Sequence, residues 1–220
     1  MQGHDGSCYY MASGHYLDSN SPYMVGVGDS LWNSGKSCGQ CLLIKALNGN
    51  VALGILGDYC PGGCNGKELD LSKGISAQLN QGNSLGVPSN LDSLTVQLVS
   101  CDFQSGRTLK YYFGPGSSSF QWYIVILWSA IPIQSIDVIG SDGKVYHSVW
   151  DSSRLKISFN DNGYGKGMGK GSFSLQLRGL GVSKPLLEPS ITYSGGENIL
   201  IKGSVQFPLG DCRALPILQV

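Results

Sequence analysis

Three carboxylates lie within one short segment of the chain, Gly57–Ser72. Asp58 follows an apolar run and Asp70 begins a stretch with helical spacing, so a loop that turns back between them would bring both to one rim. Two carboxylates can divide acid and base work when their environments separate their pKa values. The structural alternative is that Asp58 is a turn residue and Asp70 caps the helix beside Ser72. From these residues alone, that alternative is the commoner outcome.

Two adjacent aromatic residues, Trp122 and Tyr123, are candidates for binding a sugar. A pyranose ring presents an apolar C–H face that can stack on an indole or phenol ring, while its hydroxyls need polar partners around the rim. Side chains alternate along a strand, so one ring should point inward and one outward unless the strand ends, twists or bulges there. A buried tryptophan is common in β-sandwiches, which makes a core position for one of the two the competing interpretation.

Other chemistries find little support in the sequence. His4, His15 and His147 show no metal-ligand spacing,. Two Gly-x-Ser-x-Gly matches, at residues 35–39 and 82–86, do not stand between a strand and a helix as a nucleophile elbow requires. We therefore expect no cofactor, no bound metal, and no serine or cysteine nucleophile.

Cysteine is concentrated in the first half of the chain, where six of the seven residues lie: Cys8, Cys38, Cys41, Cys60, Cys64 and Cys101. An even, clustered set is typical of a disulfide framework, although spacing leaves its connectivity open. The competing interpretation is a zinc site built from residues 38–41 and 60–64. High glycine content and low charge favour an extracellular protein, and hence disulfides. Cys212 would remain as an odd cysteine.

Composition narrows the possible partners. Charged residues make up 14% of the chain, and 15 basic residues balance 15 acidic ones, so no global field attracts nucleic acid or anionic lipid. Such a surface suits neutral, hydroxyl-rich partners. No apolar run is long enough to span a membrane, and the polar start lacks the apolar region of a secretory signal, which we expect to have been removed. We expect a secreted monomer.

The hydrophobic pattern predicts an all-β protein. One helix is expected near residues 70–79, capped by Ser72, with Ile75 and Leu79 on one face. The predicted strands are 41–47, 51–56, 94–101, 109–113, 122–128, 136–139, 145–149, 155–159, 172–178, 190–193 and 198–207. The short polar stretch after Cys101 marks a boundary between two domains. We place the first domain at 1–102, a short linker at 103–107 and the second domain at 108–220.

The order and spacing of several motifs resemble those of expansins. In the first half these are Cys38-Gly-Gln-Cys41, Asp58-Tyr-Cys-Pro61 and Leu69-Asp-Leu-Ser72; in the second half they are residues 118–123, Asp142-Gly-Lys144 and residues 203–208. The resemblance covers about Gly6 to Pro208. It implies a six-stranded double-psi β-barrel, similar to family-45 glycoside hydrolases, followed by an immunoglobulin-like β-sandwich that binds carbohydrate.

The resemblance also implies roles for residues of the barrel. Asp70 takes the position on which wall loosening depends most, as proton donor or hydrogen-bonding group toward a glycosidic oxygen, with Asp58 supporting it. Ser7 stands near the place of the family's threonine, and Tyr59 follows Asp58 where some bacterial relatives have tyrosine one position later. The implied disulfides are Cys8–Cys38, Cys41–Cys101 and Cys60–Cys64.

In expansins a linear row of three aromatic rings on the second domain binds cellulose, and two of them are adjacent at the position of Trp122 and Tyr123. The third position falls near Ser153, with Trp150 as the nearest aromatic residue. Tyr10, in the same N-terminal stretch as Ser7, is a further expected binding residue.

The resemblance predicts a non-hydrolytic protein that loosens plant cell walls by binding cellulose or hemicellulose and disrupting glucan contacts. No catalytic base is identified, so we expect no conventional hydrolase activity. Two alternatives stay open. One is a weak endoglucanase or lytic transglycosylase of the double-psi class, with Asp5, Asp18 or Asp29 as second carboxylate; the other is a barwin-like carbohydrate-binding defence protein.

Overall fold

The structure, a computed structural model, describes residues 7–8, 24–60, 69–79, 94–101, 107–151, 154–159, 169–208 and 217–218. It is all-β, as predicted, with two sheets. The strands are β1 (Met24–Val27), β2 (Cys41–Ala46), β3 (Val51–Tyr59), β4 (Leu69–Leu71), β5 (Leu94–Val99), β6 (Lys110–Phe113), β7 (Gln121–Leu127), β8 (Ile133–Ile139), β9 (Val145–Asp151), β10 (Arg154–Ser158), β11 (Gly171–Gly179), β12 (Leu186–Tyr193), β13 (Ile199–Lys202) and β14 (Ile217–Leu218).

The first sheet has the order β14-β5-β2-β3-β1-β4 and curves into a nearly closed barrel. Its strands pair antiparallel except β1 and β3, which run parallel. Neighbouring residues Val25 and Gly26 of β1 are both buried, so this strand is covered on both faces. That double burial explains why the first strand shows no polar alternation in the sequence.

Two short helices accompany the barrel sheet. Helix α1 (Asp29–Trp32) leads directly from β1 into a single 3-10 turn. Helix α2 (Lys73–Leu79) confirms the predicted helix: the backbone N–H of Ile75 donates to the Ser72 hydroxyl at 3.4 Å, and Ile75 and Leu79 are fully buried. The serine thus satisfies one of the amide groups that every helix start leaves without an internal partner.

The second sheet has the order β12-β11-β8-β9-β10-β7-β6-β13. The ring of Trp122 on β7 meets Phe173 on β11 and Tyr193 on β12, with centroids 4.8 and 5.3 Å apart. These strands are far apart in the sheet order, so the sheet must fold over on itself, with strands β6, β7 and β10 facing β8, β11 and β12 across a common core. This is the sandwich arrangement predicted for the second half.

The two sheets share part of their hydrophobic core. Tyr112, Val125 and Leu127, from the second sheet, belong to the buried cluster of the barrel. At the same junction the backbone N–H of Cys101 donates to the carbonyl of Ala130 at 2.7 Å. Apolar packing and a backbone hydrogen bond therefore join the two sheets.

The last described strand, β14, returns to the first sheet and pairs with β5. The predicted boundaries place all of residues 108–220 in the second domain, whereas β14 pairs with a strand of the first sheet. The pairing lies beyond the reach of sequence analysis because a two-residue strand carries no periodicity.

Two disulfides link the described residues of the barrel half. Cys8 is bonded to Cys38, and Cys41 to Cys101. Cys60 is also disulfide-bonded, whereas Cys64 and Cys212 lie outside the described residues. The alternative zinc site is wrong, because Cys38 and Cys41 are consumed by two separate disulfides. Among the described residues, no helix is long and apolar enough to cross a membrane.

Candidate functional site

Two carboxylates of the barrel sheet stand on either side of one glycine. Strand β1 lies between β3 and β4, and Gly26 is in register with Asp58 on one side and with Asp70 on the other. Residues in register on neighbouring strands point to the same face, and strands are spaced about 4.8 Å apart. Gly26 itself is buried, so its backbone lies beneath the surface between Asp58 and Asp70. Both carboxylates are half-exposed.

Asp58 is held in place by backbone amides. Its Oδ1 atom accepts a hydrogen bond from the N–H of Ser7 at 2.7 Å and one from the N–H of Tyr59 at 2.8 Å. Two amide donors on one oxygen fix the orientation of this carboxylate. Ser7 thus lies beside Asp58, so the structure brings three of the four predicted barrel residues, Ser7, Asp58 and Asp70, into one neighbourhood.

Tyr59 is the fourth predicted barrel residue. It follows Asp58 on β3 and is in register with Val27 of β1. Its hydroxyl donates a hydrogen bond to the Asp29 carboxylate, and its ring stacks on Trp32 with centroids 4.8 Å apart at an interplanar angle of 16°. The hydrogen bond to Asp29 raises the pKa of Tyr59 above its ordinary value, and desolvation adds to the effect. The phenol therefore stays a proton donor and an uncharged ring well into the alkaline range.

The turn after Trp32 is conformationally unusual. Asn33, Ser34 and Gly35 all have positive φ angles, of 48°, 54° and 85°. Non-glycine residues visit this left-handed region rarely, and usually singly. The strained turn fixes the direction in which Trp32 leaves helix α1, and so holds its indole against Tyr59. Asp29, Trp32 and Tyr59 form an ordered group, joined to Asp58 through its chain neighbour Tyr59.

The predicted binding role of Trp122 is wrong. Its side chain is fully buried and is surrounded by Phe113, Phe159, Phe173 and Tyr193. Its indole N–H donates to the carbonyl of Gly169 at 3.0 Å. Trp122 therefore anchors the core of the second sheet and has no ring face available to a sugar.

Tyr123 points to the opposite, outer face and is half-exposed. The guanidinium of Arg154 lies 4.4 Å and the ammonium of Lys156 5.4 Å from the centre of its ring. A side chain at Gly116 would come within 3.0 Å of the same ring, so glycine there leaves room for the phenol. Lys156 is in register with Tyr123 and with Val149, which is 60% exposed. These residues form a mixed apolar and cationic row across three strands.

Trp150 does not extend this row. It is in register with Leu155, which in turn pairs with Ile124, and both partners are buried in the core. Trp150 therefore lies on the same side of the sheet as Trp122, and its indole N–H donates to the carbonyl of Gln134 at 2.8 Å. The predicted row of three aromatic rings is absent from these positions, because strand alternation separates Tyr123 from its two expected partners.

Tyr10 and the predicted Cys60–Cys64 pair cannot be placed, since Tyr10 and Cys64 lie outside the described residues. Within the described part of the chain, no group of histidine, cysteine, aspartate or glutamate side chains could hold a metal ion.

Sequence reasoning missed the grouping of Asp29 and Trp32 with Tyr59. The sequence offers Asp29 only as one of three candidates for a second carboxylate. The available signal was the Gly28-Asp29 step before an aromatic residue and the Asn33-Ser34-Gly35 sequence, which favours left-handed backbone. Nothing in the sequence placed that turn opposite Tyr59.

Comparisons with known proteins agree with this fold. No protein-family model matches the chain. Expansin-like protein 1 of Dictyostelium discoideum is 27% identical to it over 220 residues, covering 96% of this chain and 72% of that protein. The crystal structure of an apo Clavibacter michiganensis expansin matches with a TM-score of 0.68 at 15% identity, over 92% of this chain and 89% of that one. A mutant of the Clavibacter michiganensis expansin in complex with cellohexaose gives 0.67 at 14% identity, with the same coverage.

The fold and the two candidate sites define a class of all-β protein in which a barrel sheet is joined to a sandwich sheet. Within that class, the structural matches show the fold and the curated relative adds similarity in sequence. The predicted resemblance to expansins is confirmed: the chain is similar to an expansin-like protein over 96% of its length and shares the fold of the Clavibacter michiganensis expansin.

Proposed function

We propose that this protein binds cellulose-type polysaccharides outside the cell and loosens contacts between glucan chains without hydrolysing them. The observation that carries the proposal is the alignment of Asp58 and Asp70 on either side of Gly26. A sugar chain that contacts both half-exposed carboxylates would have one at each side. The matching fold of an expansin mutant in complex with cellohexaose supports a glucan as the ligand.

The two carboxylates have different roles in this proposal. Asp58 accepts hydrogen bonds from two backbone amides, so its carboxylate is held in one orientation and positions the residues around it. Asp70 is the group that contacts the glucan, at a hydroxyl or a glycosidic oxygen. Competition by Asp70 for the hydrogen bonds between neighbouring glucan chains would separate them without breaking a covalent bond.

The outer face of the second sheet provides a second contact. Tyr123 offers a ring for stacking, and Arg154 and Lys156 offer donors to sugar hydroxyls at its border. A single ring stacks fewer sugars than a row of three, so the affinity of this surface for cellulose should be modest. The disulfides of the barrel half suit the oxidising environment in which extracellular polysaccharides occur,.

A weak hydrolase is the second candidate, and one observation favours it. The Asp29 carboxylate is ordered by the hydroxyl of Tyr59, the residue that follows Asp58 in the chain. In an inverting glycosidase a second carboxylate activates a water across the groove from the acid. Asp29 is the described residue that would take that role, with Asp70 as the acid.

A paired assay on cellulose-rich wall strips separates these possibilities. Extension under constant load and soluble reducing ends are measured in the same samples for wild type, Asp70→Asn and the control Asp142→Asn, which changes a carboxylate in an exposed turn of the second sheet. We expect extension without sugar release, at least about ten-fold weaker in Asp70→Asn, since the variant loses the charge of the contacting group, and unchanged in the control. Sugar release would establish the hydrolase instead. Binding to the wall strips without extension or sugar release would indicate a lectin.

Binding is measured separately, by depletion from solution onto insoluble cellulose. Tyr123→Ala should weaken binding about five-fold, the effect of losing one aromatic stacking contact, whereas Asp70→Asn should bind almost normally. Equal binding by wild type and Tyr123→Ala, with unchanged circular dichroism, would remove the outer face from the proposal.

A further inference from the structure

The ring of Tyr123 rests against a tight turn, residues 114–117, in the connection from β6 to β7. Gly116 has a φ of 86°, and a side chain there would come within 3.0 Å of the ring. The backbone of the turn is tied to that of Tyr123 as well: the N–H of Gly114 donates to the Tyr123 carbonyl at 2.9 Å, and the Ser117 hydroxyl accepts from the Tyr123 N–H at 3.0 Å. The position of this turn therefore determines where the ring can lie.

Side chains from three places hold the middle of the turn. A carboxylate oxygen of Glu197 accepts from the N–H of Gly116 at 2.7 Å. The Arg154 guanidinium donates to the carbonyl of Pro115 at 2.8 Å, and the Gln121 amide donates to the carbonyl of Gly116 at 3.3 Å. These side chains come from the β12–β13 loop, from β10 and from β7, so contacts with distant parts of the chain, and not only the local sequence, fix the turn.

Arg154 contacts the turn and the ring at the same time. Its guanidinium lies 4.4 Å from the centre of the Tyr123 ring while it donates to Pro115. Cation–π attraction holds an aromatic ring and a guanidinium together. The ring thus has two restraining neighbours, a cation and the glycine of the turn, and both are tied to the same turn.

Glu197 is itself supported by buried side chains. It lies in the β12–β13 loop, where the Tyr193 hydroxyl donates to the carbonyl of Gly196 and the Tyr112 hydroxyl donates to the side-chain oxygen of Asn198 at 2.7 Å. Both tyrosines are buried, one in each hydrophobic core. The loop on either side of Glu197 is therefore anchored to well-packed rings.

We propose that Glu197 is a positioning residue for the sugar-stacking ring of Tyr123. It acts through Gly116, by keeping the turn against the ring, and not by contacting the sugar. A ring that is already fixed in its bound orientation loses less conformational entropy when a sugar stacks on it. This inference rests on the proposed binding of cellulose-type glucans by the outer face of the second sheet.

The first test measures binding to insoluble cellulose by depletion from solution. Glu197→Ala removes the acceptor of the Gly116 N–H and should weaken binding about three-fold, since the ring must then be ordered on binding. Glu197→Gln keeps an acceptor oxygen without the charge and should bind nearly as wild type does. The matched control Asp142→Ala also removes a carboxylate that accepts from a backbone amide in an exposed turn, the one between β8 and β9, and should bind like wild type.

A double-mutant cycle identifies the route of the effect. Once Tyr123→Ala has removed the ring, Glu197→Ala should cause no further loss of binding. A similar loss in that background would overturn the proposal, because Glu197 would then act without the ring. Equal losses in Glu197→Gln and Glu197→Ala would also overturn it, because they would indicate an effect of charge.

Motion of the ring gives a readout that needs no sugar. NMR relaxation of isotope-labelled tyrosine rings should show a rigid Tyr123 ring in wild type and in Asp142→Ala, and a more mobile one in Glu197→Ala. An equally rigid ring in Glu197→Ala would overturn the positioning role. A more mobile ring in Glu197→Ala, together with wild-type binding by Tyr123→Ala, would support the positioning contact and contradict the proposed sugar contact, so the two failures are distinguishable.

Discussion

Glu188, on strand β12 of the second sheet, has a completely buried carboxylate. Its oxygens accept hydrogen bonds from the Tyr111 hydroxyl at 3.1 Å, the Ser204 N–H at 2.8 Å and the Ser204 hydroxyl at 2.5 Å. A buried charge is tolerated only when it is bonded in this way. A side chain at Gly203 would lie 2.4 Å from the same carboxylate, so glycine is required beside it. Glu188 ties β12 to the segment after β13.

Tyr111, whose hydroxyl donates to Glu188, makes the stability of the fold sensitive to alkaline pH. Burial raises the pKa of Tyr111 well above its ordinary value of 10.0, and the nearby Glu188 carboxylate adds to the rise. The folded state therefore keeps the phenol proton to higher pH than the unfolded chain does. Its contribution to stability is complete below about pH 10 and is lost as pH rises further.

We expect Tyr111→Phe to lower the free energy of unfolding by about 2 kcal/mol at neutral pH, since a hydrogen bond to a charged group is lost. It should also flatten the decline of stability above about pH 10, because the titrating phenol is gone. Urea unfolding at a series of pH values checks both effects. Tyr123→Phe, which alters a half-exposed phenol, should keep the wild-type decline. A decline of equal steepness in Tyr111→Phe would contradict this explanation.

At the residue scale the sequence supports part of the site. Because side chains alternate along a strand, the sequence correctly predicts that Trp122 and Tyr123 point to opposite faces of β7. It does not predict which of the two rings is buried. Trp122 is the buried ring because four aromatic side chains from elsewhere in the chain, among them Phe173 and Tyr193, pack around it. Those contacts arise only when the sheet folds over, which a local pattern does not encode.

At the scale of elements, the strands that are missed share a physical cause. β1 is four residues long and buried on both faces, and β4 has three residues. Short or doubly buried strands lack the polar alternation by which strands are detected. Asp58 and Asp70 could be named from the sequence, but their alignment at Gly26 depends on β1 and could not be predicted without it. The longer strands and helix α2 were found because their patterns are complete.

Helix α2 offers a direct test of local sequence control. Ser72→Ala removes the hydroxyl that accepts from the N–H of Ile75 and should lower the free energy of unfolding by about 1 kcal/mol. Ser76→Ala is the matched control: its hydroxyl bonds back to the carbonyl of Ser72 within the helix, a contact that contributes little. Chemical denaturation measures both. Equal losses in the two variants would show that the cap does not stabilise this helix.

At the scale of the whole molecule, the shared core predicts that the two sheets unfold together. Leu127 lies on the second sheet but is fully buried in the barrel cluster. Wild type should therefore show one calorimetric transition, with equal calorimetric and van't Hoff enthalpies. Leu127→Ala should remove about 3 kcal/mol and broaden or split that transition.

The control for this experiment is Leu177→Ala. Leu177 is equally buried, but it lies in the separate core of the second sheet. A comparable loss of stability is expected there, without separation of the two sheets. Two transitions in the wild-type protein would show that the common core does not couple them.

The return of β14 to β5 has a consequence for how the chain is made. Strands β6–β13 all lie, in covalent order, between β5 and its neighbour β14, so the second sheet is an insertion within the first. During synthesis the barrel sheet stays one strand short, with one edge of β5 unpaired, until residue 218 has been translated. Open strand edges are sites of aggregation, and pairing over so long a sequence separation is slow. The first sheet to be started is therefore the last to be completed.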